Sequence, residues 1–299
     1  MQKQIFLLIC SLFVVAAGNS QKPSLKKLKR NIEASFSQQD GVFAIAFKDL
    51  QTGKTLYINE HEIFHAASTM KTPVLMEAYK QAAEGKLALN DSVTIINEFK
   101  SIADTSHFSL NAADDSEFEL YKHIGSKATF YSLLYQMIIS SSNLATNIAI
   151  EKLGAENVTA TLRRLGANDI QVLRGVEDGK AYEKGMNNVV SAYDLALIFE
   201  KMATDKIVSP AASQAMIKIL SDQKFNDIIP AKLPADIKVA HKTGFITGVH
   251  HDSGIVFLPD GRKYVLVLLS KNLTDDKAGI AAMANVSEMI YVYEQAIKK

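Results

Sequence analysis

Leu25, Leu28, Ile32 and Phe36 recur at three- and four-residue spacing, which predicts an amphipathic helix over 24–37. Asp40-Gly41 ends it. The apolar run 42–48, rich in Val, Ile and Phe, predicts a buried strand, and Leu50-Gln51-Thr52-Gly53 turns the chain into a second strand over 54–59. From Ser68 to about residue 230 the apolar period becomes helical. Helices are predicted over 70–83, 129–139, 143–152, 156–165, 191–203 and 210–220, with Gly154 and Gly166 stopping two of them. Strands return at 237–245, 253–258 and 262–270. Pro259-Asp260-Gly261 is a tight turn, so the last two strands are antiparallel. Thr274-Asp275-Asp276 caps a long final helix with Ile280, Met283, Val286 and Ile290 on one face. The order predicts an α+β fold of sandwich type, an antiparallel sheet flanked by N- and C-terminal helices. An all-helical subdomain, 63–234, is inserted into an α/β subdomain made of 21–62 and 235–299. Two polar stretches, 97–125 and 174–190, carry no clear period, and loops of that length are usually functional or mobile.

The first twenty residues follow another pattern. Lys3 precedes an apolar segment, 5–17, that leads to Gly18 and Ser20, which predicts a secretory signal and hence a secreted or periplasmic protein. The segment falls short of the roughly 20 apolar residues needed to cross a bilayer, so no stable membrane insertion is expected. Cys10, the single cysteine, lies inside it, so a processed chain has no thiol for a disulfide or a nucleophile. The 33 basic residues nearly cancel the 32 acidic ones, and no basic stripe is interleaved with aromatics, which argues against a nucleic-acid partner. A monomer without cofactor or metal is expected.

Three short motifs carry candidate chemistry: Ser68-Thr69-Met70-Lys71, Ser141-Ser142-Asn143 and Lys242-Thr243-Gly244. A serine needs a base to take its proton and donors for the oxyanion. Ser68 stands at a helix start, where first-turn amides point outward, and Lys71 lies one turn away on the same face. Each motif alone is weak evidence. Ser24–Lys27 and Ser221–Lys224 share the first spacing, and Ser109-Leu110-Asn111 shares the second. For Ser141 and Asn143 the plain alternative is helix capping before Leu144. The order and context carry the weight: only Ser68 lies between an apolar approach and a helix, and Lys-Thr-Gly occurs once, in a strand.

In that order the motifs resemble those of the class A β-lactamases and penicillin-recognising serine enzymes, over essentially the whole chain after the first twenty residues. The resemblance implies a serine β-lactamase-like fold and hydrolysis of a small-molecule β-lactam through an acyl-enzyme. It implies Ser68 as nucleophile, Lys71 as proton acceptor or relay and Ser141 as donor to the lactam nitrogen. Asn143 would bind the side-chain amide, Lys242 and Thr243 the carboxylate, and Gly244 would let the strand lie flush. The backbone amides of Ser68 and Phe245 would form the oxyanion hole. Lys71 would need its pKa lowered by about three units to act as a free base at neutral pH.

The departure lies in 174–190. The family carries a deacylating glutamate there, in a Glu-x-x-Leu-Asn setting. Counted from Arg174, Glu177 is the best-placed acid but one residue late, while Glu183 fits the local motif yet sits close to the next helix. A solvated loop charge is the plain alternative for both. Asn188 stands where an aspartate usually pairs with the arginine. Without a deacylating base the protein would behave as a penicillin-binding protein or D-alanyl-D-alanine peptidase. His61-Glu62-Ile63-Phe64-His65 also matches the His-Glu-x-x-His zinc-peptidase pattern, which requires a helix at 61–65.

Overall fold

The computed structural model describes residues 24–297. The predicted secretory segment and Cys10 lie outside them. Helix α1 spans Leu25–Phe36, with the Ser24 hydroxyl accepting from the Lys27 amide at its N-terminus. Strands β1 (Val42–Asp49) and β2 (Thr55–Ile58) follow, then the helices α2 (Lys71–Ala83), α3 (Phe130–Ile139), α4 (Asn143–Leu153) and α5 (Ala155–Leu165). A short α6 (Gly179–Glu183) precedes α7 (Ala192–Ala203) and α8 (Pro210–Ser221). The chain closes with β3 (Lys238–Ile246), β4 (Val249–Phe257), β5 (Lys263–Lys271) and α9 (Asp276–Ala296). The five strands form one antiparallel sheet in the order β2-β1-β5-β4-β3, which joins the two ends of the chain through β1 and β5.

Alternation along the central strands sorts the core into two layers. Phe43, Ile45 and Phe47 of β1 and Tyr264, Leu266 and Leu268 of β5 meet Ile32 and Phe36 of α1 and Met283, Val286 and Ile290 of α9. Ala44, Ala46, Val265, Val267 and Leu269 face the opposite way, into the core shared by the helices between α2 and α8. A one-residue slip would exchange these faces, so burial on both sides fixes the register. Each large side chain buried this way contributes about 1.5–3 kcal/mol. The outcome matches the predicted α+β arrangement, with most helix and strand limits within a residue or two.

One expectation fails. The strand predicted from residue 253 begins at Val249, so the polar run His250-His251-Asp252 lies within β4 and is not a connection. A two-residue loop, Thr247-Gly248 with Gly248 at φ 72°, turns β3 directly into β4. The polar side chains are buried because they are paired: Asp252 accepts from His241 Nδ1 (2.8 Å) and from the Ile229 amide (3.0 Å), and His251 Nε2 donates to the His65 carbonyl (2.9 Å).

Residues 61–65 form no helix. His61 lies in a turn against Asp169 (2.7 Å), Glu62 pairs with Lys271, and His65 Nδ1 accepts the Ala67 amide (3.1 Å). The two imidazoles therefore have different partners and share no helical face, which removes the geometric basis of the zinc pattern.

The stretches 97–125 and 174–190 are irregular but tied to each other. Asp178, buried at the N-terminus of α6, accepts from the Ser101 hydroxyl (2.8 Å) and the Ile102 amide (2.9 Å). No described helix is long and apolar enough to cross a membrane.

Candidate active site

Ser68 sits in a 3₁₀ turn, Ala67–Met70, that runs straight into α2. Ala67 takes φ 44°, an unusual value for a residue with a side chain, and this bend presents Ser68 to a cleft. From the far end of the chain the edge strand β3 lies against the turn. A Cβ on Gly244 would stand 2.9 Å from the Ser68 nitrogen and 3.0 Å from the Thr69 nitrogen, so no side chain fits there. The glycine of Lys-Thr-Gly thus makes room for the protein's own Ser68 turn.

Lys71 is fully buried and its three donors are all engaged. Its Nζ donates to the Ser141 carbonyl (2.6 Å), the Ser141 hydroxyl (3.2 Å) and Asn143 Oδ1 (2.9 Å). Lys242, equally buried, donates to the same Ser141 hydroxyl (3.1 Å) and to the Thr243 carbonyl (2.9 Å). Ser141 therefore bridges two amines, and it does so from φ 55°, a strained value held by the start of α4. Among the described residues no hydrogen bond reaches the Ser68 hydroxyl, and Lys71 points to Ser141 and not directly to Ser68 as its helical spacing had suggested.

Burial pushes the Lys71 ammonium down to about 7, against the pull of Asp115 and then Glu177. Burial, and next the Lys71 charge, push Lys242 well below the ordinary lysine value, with Asp252 opposing. Two ammonium groups around one hydroxyl repel, so one of them readily exists as the free amine near neutral pH.

Glu177 takes φ 60°, and its carboxylate accepts from Asn143 Nδ2 at 2.5 Å. Glu177 is exposed overall, yet partial desolvation of its carboxyl raises its pKa, opposed by the Asn143 hydrogen bond. Glu183 is exposed on α6 and makes no link to this cluster, so only Glu177 joins it. Arg174 is held through carbonyls: Nε donates to Met186 O (2.9 Å) and Nη1 to Gly175 O (3.0 Å). Asn188 instead clasps the arginine's backbone, accepting from its amide (3.2 Å) and donating to its carbonyl (2.9 Å). An asparagine can do both where an aspartate can only accept.

Two clefts meet at this cluster. One, of about 260 Å³, runs along Thr243 toward Phe225, His250 and Ile280. The other, of about 390 Å³, runs beneath Arg174, Glu177 and Tyr182. Ser68, Asn143 and Phe245 line both. Phe245 is 68 % exposed and stacks on the His250 ring at 5.9 Å, forming an apolar ledge at the junction. Ser68, Lys71, Ser141, Asn143, Glu177, Lys242, Thr243, Gly244 and Phe245 are thus gathered in one place. The discounted Ser24 caps α1 and Ser221 bonds to the Ile217 carbonyl, both ordinary helix uses. The sequence reading missed Asp115, whose carboxylate holds the first two amides of α4, and the buried His241–Asp252 pair beside Lys242. Asp115 lies in an aperiodic polar stretch with no local signal, and His241 lies among four consecutive buried positions of β3, where burial does not alternate.

The model of a β-lactamase enzyme family matches residues 27–293. The extended-spectrum β-lactamase PER-1 of Pseudomonas aeruginosa is 25% identical over 286 residues, covering 92% of this chain and 89% of that protein. A crystal structure of a β-lactamase from Sphaerobacter thermophilus superposes with a TM-score of 0.78 at 25% identity, covering 92% of this chain and all of that one. A variant of PBP-A, solved as an acyl-enzyme with penicillin G, superposes with a TM-score of 0.79 at 27% identity, covering 91% of this chain and 98% of that one.

Proposed function

The chain belongs to the β-lactamase enzyme family, and from that premise we propose that it opens β-lactam rings through an acyl-enzyme on Ser68. The Ser68 oxygen attacks the lactam carbonyl while the free amine of Lys71, reached as the substrate closes the site, takes the hydroxyl proton. The amides of Ser68 and Phe245 hold the oxyanion, on the two surfaces that Gly244 brings together. When the carbon–nitrogen bond breaks, the Ser141 hydroxyl gives its proton to the ring nitrogen and recovers one from Lys71 (3.2 Å). Lys242 and Thr243 receive the substrate carboxylate, and Asn143 the side-chain amide. Water then cleaves the ester: the Glu177 carboxylate takes a proton from the water and passes it back to the departing Ser68 oxygen, which restores the free hydroxyl and the carboxylate. The Ser141 hydroxyl shared by two buried amines carries this reading, because it links nucleophile side and leaving-group side in one proton path.

Hydrolysis of a chromogenic cephalosporin by wild type, lost in Ser68→Ala, is the test, and absence of turnover by wild type rejects the reading. A second reading, a penicillin-binding protein with slow deacylation, draws on Glu177, whose carboxylate is tied to Asn143 at 2.5 Å. Intact-mass spectra separate the two: a transient adduct of penicillin G supports the hydrolase, a lasting one the binding protein. Export rests on residues 1–20, and protease protection of the full chain in intact cells tests it.

A further inference from the structure

We propose that Asp115 is a positioning residue for this site: from the 97–125 stretch its carboxylate pins the start of α4, and with it Ser141 and Asn143, and places a negative charge near Lys71. The inference rests on the acylation reading above. Asp115 is 9% exposed, and all its partners are donors. Oδ2 accepts from the Asn143 and Leu144 amides and from the Tyr121 hydroxyl, each at 2.9 Å, and Oδ1 accepts from the Glu117 amide (3.0 Å).

The N-terminus of α4 explains why an outside carboxylate is needed. Ser142, the residue at its cap, is neutral and spends its hydroxyl on the Ala145 amide (3.2 Å). The amides of Asn143 and Leu144 would be left unpaired without Asp115. Asn143 is thereby gripped from both sides, its amide by Asp115 and its Oδ1 by Lys71 (2.9 Å). The charge matters as well. Lys71 and Lys242 hydrogen-bond only to neutral oxygens, so neither ammonium has a carboxylate in contact. Asp115 lies one residue beyond, and with Glu177 it is the acid whose field favours the charged form of Lys71. Other charged or titratable groups facing the cluster are Tyr121, Asp114 and Glu117. Asp115 thus raises, against burial, the pH at which Lys71 becomes a base, in addition to holding Asn143 in place.

The experiment measures the acylation rate constant for penicillin G against pH by intact mass, which needs no deacylation. Asp115→Asn keeps the size and removes the charge. Its acid limb should move to lower pH by about one unit, because Lys71 then gives up its proton more readily. Tyr121→Phe drops one hydrogen bond and leaves the charge, so its limb should stay with wild type. Adding Ser142→Asp to Asp115→Asn returns a carboxylate to the same helix end and should restore the wild-type limb, and folding if the single variant loses it. An unmoved limb in Asp115→Asn, an equal shift in Tyr121→Phe, or no recovery in the double variant overturns the proposal. Wild type that is never acylated overturns the acylation reading, and this inference with it.

Discussion

Replacing Gly244 by alanine tests how closely β3 must approach the Ser68 turn. The added Cβ would meet the Ser68 nitrogen at 2.9 Å, the Thr69 nitrogen at 3.0 Å and the Ala67 Cβ at 3.2 Å. Relieving those contacts requires strand and turn to part by about half an ångström. Neither yields easily. Strand β3 is in register with β4 from Lys238 to Ile246, and Ala67, Thr69 and Met70 of the turn are buried. Overpacking of this kind costs about 1–3 kcal/mol. For a domain of this size that lowers Tm by on the order of 5 °C. The effect on chemistry should be larger, since the Ser68 and Phe245 amides sit on the two surfaces forced apart. Misplacing or losing one oxyanion donor costs on the order of 10²-fold. We expect Gly244→Ala to fold, melt a few degrees lower, and acylate about 100-fold more slowly. Circular dichroism melting and stopped-flow hydrolysis of a chromogenic cephalosporin give the two numbers. A variant that melts like wild type and acylates within about threefold of it would refute the reasoning, because the strand would then have room to spare.

Glu177→Gln removes the proposed base but keeps the contact with Asn143, so deacylation should slow by about 10²–10⁴-fold while acylation changes little. Accumulation of the penicillin adduct in intact-mass spectra checks it. Because burial holds Lys71 at about 7, the acylation rate should rise with pH through that value and then level off. The same shift has a sign for stability. The folded pKa of Lys71 lies below its ordinary value of 10.5, so the unfolded chain binds more protons between the two and this group makes stability rise with pH from about 7 upward. Urea unfolding at pH 7 and pH 9 in wild type and Lys71→Met should show the smaller rise in the variant. Ser141→Ala leaves Lys71 and Lys242 facing each other without the shared oxygen, so acylation should fall by about 10²-fold, read by the same mass assay.

Periodicity sufficed for most of the architecture. The helical spacing of Leu28, Ile32 and Phe36 and the alternation in Val42–Asp49 are local consequences of which faces can be buried, so a linear pattern reveals them. The three motifs supply seven of the residues gathered around Ser141. Polar residues were read less well. His251 and Asp252 fell outside the predicted strand yet are fully buried within β4, because partners from Phe64–His65, Lys238–Ile246 and the segment around Ile229 satisfy them. No periodic rule can announce a pairing between positions so far apart.

By itself the sequence determined the α+β order of elements, a serine at a helix start, and the presence of two lysines and a Ser-Ser-Asn turn, all properties of neighbouring residues. Only tertiary structure decided that both lysines meet on one Ser141 hydroxyl, that Glu177 and not Glu183 joins Asn143, and that Asp115 takes the amides of α4. Those facts depend on distances between segments up to 171 positions apart in the chain, Lys71 to Lys242, and on burial that moves the amines toward neutrality. Desolvation and hydrogen-bond partners are set by what the folded chain places around a group, and they are absent from the group itself.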